Sequence, residues 1–398
     1  MKSNNYILKC INCGKEFSWD SDIYTCDKCG NRNGTLEVMI DFNSKTKIKS
    51  ERKGIWRYID FLPLNEENIF DKLLVGDTPI ITSDHIAEEL GIAEFLIKDD
   101  GRNPTASFKD RASVMAVSKC FEKGYEHIFA ASTGNAASSI SGIGVAAGLK
   151  VHIFVPASAP DAKITQLMVY GADVNKVIGT YDQAFDISLE IGMNNGWYCR
   201  NSAVNPFLLE GKKTGTYEFA EQLDFKLPDI IMVSVGDGTI YSSIHKAVDE
   251  LYDMKMITKK PTIVGVQGEN SNAIQLAFEK GRPFASCDIE NPECVADSIS
   301  VGKPRDYLKA CKYAYKNDGF FISVDDHSIG KAIIDLARYS GVFAEPAGAV
   351  AFAGARKLSE KGYLNHKTRI GILVTGNGLK DINSVKKYLN ESVNEIKI

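Results

Sequence analysis

Lys109 stands in the run Asn103-Pro104-Thr105-Ala106-Ser107-Phe108-Lys109-Asp110-Arg111, where Pro104 and a Ser-x-x-Asp cap predict the opening of a helix. The lysine then falls in the first turn. A cation there opposes the helix macrodipole, and burial would bring its pKa down towards the ~7–8 that suits a base or a Schiff-base amine. Taken alone, the same residue reads equally well as an exposed surface lysine. Its company decides between the two.

Three further turns have the composition of ligand loops. Ala131-Ser132-Thr133-Gly134-Asn135-Ala136-Ala137-Ser138-Ser139 leaves a short apolar run and enters a helix of very small residues, so several main-chain N–H groups face an anion such as a carboxylate. Asn135 adds an amide able to meet a phenolic oxygen. Ser234-Val235-Gly236-Asp237-Gly238-Thr239-Ile240-Tyr241-Ser242 has the architecture that cradles phosphate with main-chain donors. Asp237 is compatible with that only if its carboxylate turns away to cap a backbone group. Val374-Thr375-Gly376-Asn377-Gly378-Leu379-Lys380-Asp381 again leaves an apolar run through glycines and presents a hydroxyl. Each of the four turns is expected at the carboxyl end of a strand, where ligands gather in open α/β sheets.

A second constellation is structural in kind. Cys10-x-x-Cys13 and Cys26-x-x-Cys29 are two knuckles spaced to close on one tetrahedral zinc. Four thiolates leave the ion no open position, so its expected work is to staple a small module with almost no core. Cys120, Cys199, Cys287, Cys294 and Cys311 read as small hydrophobes. The six histidines show no metal spacing; none is expected to be catalytic, His152 is expected in a strand and the others near the surface.

The elements that must position these residues follow from hydrophobic patterning. From about Phe95 onward, β-branched runs alternate with longer amphipathic stretches, predicting strands joined by helical crossovers in a largely parallel sheet. The expected strands are 94–98, 127–131, 151–155, 176–178, 198–200, 230–234, 262–267, 320–324 and 369–374. Gly148 and Gly171 are placed as left-handed helix caps, and the charged stretch 44–52 reads as a linker or a solvated loop. With 398 residues, two substantial domains and a small appendage are expected. The formal charge of -4 gives no excess of positive charge for nucleic acid or anionic membranes. The N-terminus lacks the apolar core of a signal peptide and no stretch approaches a membrane span, so the expectation is a cytoplasmic protein with neither membrane nor nucleic-acid partner.

The runs PTASFKDR, ASTGN, VSVGDG, EPAG (Glu345 to Gly348) and VTGNGLKD together resemble threonine synthase, a family of fold-type II pyridoxal-phosphate enzymes, and the resemblance covers nearly the whole chain. The ribbon, and Gly54-Ile55-Trp56-Arg57-Tyr58 ahead of Gly76-Asp77-Thr78-Pro79, fit some members. The resemblance implies a tryptophan-synthase-beta-like α/β fold: a zinc-ribbon-like module at 1–34, a smaller α/β domain at 92–205, and a larger cofactor-binding domain made of 35–91 plus 206–398. It implies that Lys109 is the Schiff-base lysine, that Asn135 meets the cofactor's phenolic oxygen and that Gly236, Asp237, Gly238, Thr239 and Ile240 hold its phosphate. Thr375 would meet the pyridine nitrogen. The implied reaction converts O-phosphohomoserine and water to L-threonine and phosphate, with a small amino acid as substrate, and homodimers are common in the family.

Two positions depart from the family pattern. A threonine after the STGN turn and an arginine in the segment NSxNPxRLEGxKT are typical of its substrate-phosphate pocket; here those positions hold Ala136 and Leu208. A dianionic phosphate without a guanidinium loses its best bidentate partner. Arg102 and Lys212 are the candidates to replace it, beside Ser132, Thr133 and Ser202, although Arg102 could equally pair with Asp99 or Asp100 at the surface. The departures leave open a related enzyme acting on O-phosphoserine by β-replacement, as cysteate synthase does, or a threonine or serine dehydratase. A non-catalytic binding protein on the same scaffold is a further alternative, against which the joint presence of Lys109, Asn135 and Thr375 argues.

Overall fold

The computed structural model describes residues 6–21 and 23–389. Apolar runs sort into three sheets. Strands β1 (Tyr6–Cys10), β2 (Glu16–Phe17) and β3 (Leu36–Ile40) form a small antiparallel sheet in the order β2-β1-β3. Next along the chain come β4 (Ile80–Thr82), β5 (Glu94–Asp99), β6 (His127–Ala131), β7 (Lys150–Pro156), β8 (Asp173–Val177) and β9 (Tyr198–Cys199). The last four strands are β10 (Ile230–Ser234), β11 (Thr262–Gly268), β12 (Phe320–Val324) and β13 (Arg369–Val374). A six-stranded sheet runs β12-β11-β10-β13-β5-β4, parallel except for β4, and a four-stranded parallel sheet runs β8-β7-β6-β9.

Parallel sheets need cover on both faces, which is why their strands read as continuous apolar runs. On one face of the large sheet the helix Pro346–Glu360, rich in Ala and Gly, lies close enough that a Cβ on Gly354 would meet Val266 at 2.6 Å. On the other, Tyr217 and Phe219 pack with Ile240, Ile244 and Leu251 from the helices Phe207–Gln222 and Thr239–Asp253. The four-stranded parallel sheet is covered by Met115, Val117, Ile140 and Ile143 from the helices Lys109–Lys123 and Asn135–Ala146. Each such buried aliphatic contributes roughly 1.5–3 kcal/mol. No described helix is long and apolar enough to cross a membrane.

Most expected strands are present, within a few residues at their ends. Gly148 and Gly171 take φ of 87° and 90°, as caps should. Several expectations change. Strand β5 pairs with β13 and β4 in the large sheet, so a smaller domain beginning at 92 starts too early; the sheet it was assigned to begins at His127. Phe95, Leu96 and Ile97 are all buried, as either parallel sheet would require, so the apolar run does not say which sheet the strand joins. Strands β1, β2, β3 and β4 were not expected, being short or part of the metal module. His245 lies in the core against Tyr241 and Tyr313, where burial pushes its pKa down to about 3, rather than near the surface. The stretch 44–52 carries no helix or strand, but it is tied back by Lys49 N–H to Arg57 O at 2.7 Å.

Candidate active site

Strands β5, β6, β10 and β13 all end at one cleft of about 1470 Å³, lined by Lys109, Ser132 to Ala136, Ser234 to Tyr241, Glu345 and Thr375. Two short ties fix the lysine. Phe108 N–H donates to Thr375 O at 2.9 Å, and Asn377 N–H donates to Ala106 O at 3.1 Å, so the turn after β5 is sewn to the turn after β13. Ala106 accepts a left-handed φ of 62° to make this passage. Ser107 does not cap the helix, contrary to expectation: its hydroxyl is buried without a partner, and Phe108 is the cap residue. Asp110 instead accepts from Thr105 N–H at 2.7 Å and from the Thr105 hydroxyl, which closes the loop on itself.

Lys109 is partly buried, and that burial first, then the charge of Arg200, brings its pKa down to about 8. Asp237 and Glu345 act weakly the other way. Much of the amine is therefore neutral near pH 8, as a nucleophile or base requires.

Around it the main chain presents donors. The amides of Thr133, Asn135 and Ala136 have no acceptor among the described residues, and neither do those from Gly236 to Ile240. Gly238 takes φ of 96°, which a side chain would resist, to open the helix Thr239–Asp253 towards the cleft. Asp237 turns away as its position demands, its Oδ1 accepting Arg305 N–H at 3.1 Å. This cradle and the partly buried lysine fit a phosphate-bearing aldehyde cofactor: an anion for the amides, a carbonyl for the amine.

Other expected residues are distributed unequally. Asn135, Ser132, Thr133, Ser202 and Thr375 line the cleft, as does Ala136. Arg102 does not: its side chain is 59% exposed and its Nε donates to Asp99 Oδ2 at 3.0 Å, the bland surface alternative. Lys212 is buried beneath the phosphate turn, where its Nζ donates to Thr239 Oγ1 at 2.7 Å and burial holds its pKa well below the ordinary value. Leu208 packs in the apolar cluster of the four-stranded parallel sheet. Three cleft residues were given no role beforehand. Glu345, just ahead of Pro346, accepts from Asn135 Nδ2 at 2.8 and 2.9 Å; Lys380 Nζ donates to Thr105 O and Ser138 Oγ, both at 2.9 Å; and Arg200 follows directly on β9.

In the small antiparallel sheet the four expected cysteines come together, all Sγ atoms lying within 4.8 Å of one another, with Cys13 and Cys26 3.8 Å apart. A tetrahedron with ~2.3 Å metal–sulfur bonds has edges of about 3.8 Å. The donor set therefore fits zinc.

A lysine partly buried at the meeting of four strand ends, facing an amide cradle between two parallel α/β lobes, defines a pyridoxal-phosphate-dependent enzyme; the family model described as "Pyridoxal-phosphate dependent enzyme" matches residues 72–376. The processed form of threonine deaminase isoform 2 from Solanum lycopersicum has the same fold, with a TM-score of 0.69 at 21% identity over 89% of this chain and 98% of that one. Threonine synthase of Methanocaldococcus jannaschii is 36% identical over 394 residues, covering 97% of this chain and 96% of the relative. That of Methanosarcina acetivorans is 37% identical over 385 residues, covering 96% and 93%. The chain belongs to the threonine synthase family.

Proposed function

We propose that the enzyme converts O-phosphohomoserine and water to L-threonine and phosphate, with Lys109 as the residue that carries the cofactor and moves protons. The observation that supports this reading most directly is Lys109, partly buried and with its pKa lowered to about 8, facing the unpaired amides of two helix N-termini. Pyridoxal phosphate, when bound, supplies an electron sink for charge developing beside the amino group. In this reading the amides from Gly236 to Ile240 and the Thr239 hydroxyl hold the cofactor phosphate, with Lys212 bracing Thr239 from below. Thr375 would meet the ring nitrogen of the cofactor, and Asn135, oriented by Glu345, would meet its phenolic oxygen. The turn Ser132 to Ala136 orients the substrate carboxylate. Lys109 Nζ would hold and deliver the Cα and Cβ protons in turn.

Steady-state phosphate release from O-phosphohomoserine, with threonine followed by chromatography, tests this. Threonine and phosphate formed in equal amounts are expected. Phosphate from O-phosphoserine instead, or a 2-oxoacid from threonine, would replace the reading with β-replacement or dehydration on the same scaffold.

The Cys10, Cys13, Cys26 and Cys29 cluster is proposed to hold one structural zinc. The sheet that carries it is bound to the catalytic body by Lys309 Nζ to Leu36 O at 3.1 Å and by Tyr307 to Asn33 at 2.8 Å. Metal analysis should return one zinc per chain, and Cys26→Ser should lose it together with several degrees of Tm. A metal-free wild type of equal stability would remove the assignment. The cytoplasm, where nine cysteines stay reduced, and a homodimer complete the proposal.

A further inference from the structure

Arg200 is a buried guanidinium with no carboxylate partner among the described residues, and it borders the cleft. Its Nε and Nη2 donate to Ser113 Oγ at 3.2 and 3.1 Å, and its Nη1 donates to Ser202 Oγ at 3.2 Å. A guanidinium has five N–H donors, so two are left over after these bonds. The other large buried arginine, Arg111, is fully satisfied by contrast: it binds Asp100 and Glu218 at 2.6 and 2.8 Å. Its hydrogen bonds are all to hydroxyls, with Asp110 acting on it only through space, and a buried charge so partnered is costly unless something anionic completes it.

Position in the fold says which anion. Arg200 follows β9, whose neighbour β6 leads into the turn Ser132 to Ala136, and Arg200 N–H donates to Phe129 O at 2.8 Å. The turn after β10 lies on the other sheet and has its own buried amine in Lys212. We infer that Arg200, with Ser202 beside it, binds the phosphoryl group of the substrate, replacing the guanidinium that position 208 lacks. Ser113, one turn after Lys109 on the same helix, fixes the plane of the guanidinium, and Ser139 Oγ at 2.7 Å fixes Ser113. Neither Arg102 nor Lys212 is placed to do this. The inference rests on the phosphohomoserine reading and adds to it the residue that discriminates a phosphorylated from an unphosphorylated substrate.

The test compares wild type, Arg200→Lys, Arg200→Gln and Ser202→Ala as holoenzymes, each first checked for its cofactor absorbance band and cofactor Kd. Arg200→Gln is expected to raise KM for O-phosphohomoserine on the order of 100-fold, Arg200→Lys less, and Ser202→Ala a few-fold, with cofactor Kd unchanged. Inhibition by inorganic phosphate should weaken in the same order. Unchanged KM and phosphate inhibition in Arg200→Gln would overturn the assignment, and loss of cofactor affinity with KM intact would move the residue to the cofactor phosphate. If Arg200→Gln does not fold, Arg200→Lys and Ser202→Ala decide the question by the same two readouts. Wild type inert towards O-phosphohomoserine would sink the proposed function instead. Arg200 is then judged by calorimetric titration of the holoenzyme with inorganic phosphate: binding lost in the variants supports an anion site, and binding equal in all refutes it.

Discussion

Lys109→Met is expected to lower kcat by at least about 10⁴, because in the proposed function one side chain supplies both the covalent link to the cofactor and the base that moves the substrate protons. Borohydride reduction of the wild-type holoenzyme should fix the cofactor on the peptide containing Lys109, and on no peptide of the variant. The same change should not harm folding. Lys109 has a folded pKa of about 8 against an ordinary 10.5, so between those values the folded chain binds fewer protons than the unfolded one, and apoprotein stability rises with pH. The penalty is fully present below pH 8 and amounts to on the order of 3 kcal/mol. Methionine keeps the volume and removes the charge. Thermal unfolding of the apoproteins should therefore show Lys109→Met more stable than wild type at pH 7 and converging with it above about pH 10. A variant less stable at pH 7 would mean that the lysine is paired in the folded state, which would remove the physical case for its neutrality.

The contrast between these two effects marks a residue placed for chemistry rather than for the fold, and it is instructive to ask which such residues a reader of the sequence could find. Lys109 was visible because a lysine in a helix's first turn offends the macrodipole, and three glycine-rich strand ends offered it company. Asp237 was visible as a conflict whose resolution, capping Arg305, could be stated in advance. Arg200 was not. In one dimension it is a single basic residue after a two-residue strand, and its meaning lies in what does not face it. The absence of a carboxylate hydrogen-bonded to a guanidinium is a property of packing alone. Arg102 failed for the complementary reason: its neighbour Asp99 was near in sequence and claimed it, leaving no charge for the cleft. Lys212 had the right charge, but helix geometry places it under Thr239. The misplacement of β5 has a different origin. Its apolar run fixes that it is buried on both faces, yet partner choice among parallel strands is set by crossovers too long for local patterning to order.

Arg111 sits two residues beyond Lys109 in the same run, and it should behave in the opposite way. Its guanidinium joins Asp100, Glu218 and the Thr78 hydroxyl, while Lys98 binds Glu218 from the other side, all of them buried. The charges of Arg111 and Lys98 hold the Glu218 carboxyl well below the usual carboxylate range against the opposing effect of burial. These groups tie the turn at Thr78, the end of β5 and the helix Phe207–Gln222 to the helix that begins with Lys109. Arg111→Leu leaves Asp100 buried without its cation and should cost about 3–5 kcal/mol in urea unfolding of the apoprotein. Pairing the change with Asp100→Leu removes the stranded charge, so the double variant should recover a large part of the loss, whereas two independent sites would add. Because Glu218 has a depressed pKa, its contribution is present above the usual carboxylate pKa and is lost as pH falls below it, so wild type should lose stability more steeply on acidification than Glu218→Gln. Arg200→Gln, by comparison, removes a buried charge that no carboxylate hydrogen-bonds and should not lower the stability of the apoprotein, while substrate affinity falls. Two arginines of equal burial are thus separable by their partners alone: loss of the one paired with carboxylates is read in unfolding, and loss of the other in KM.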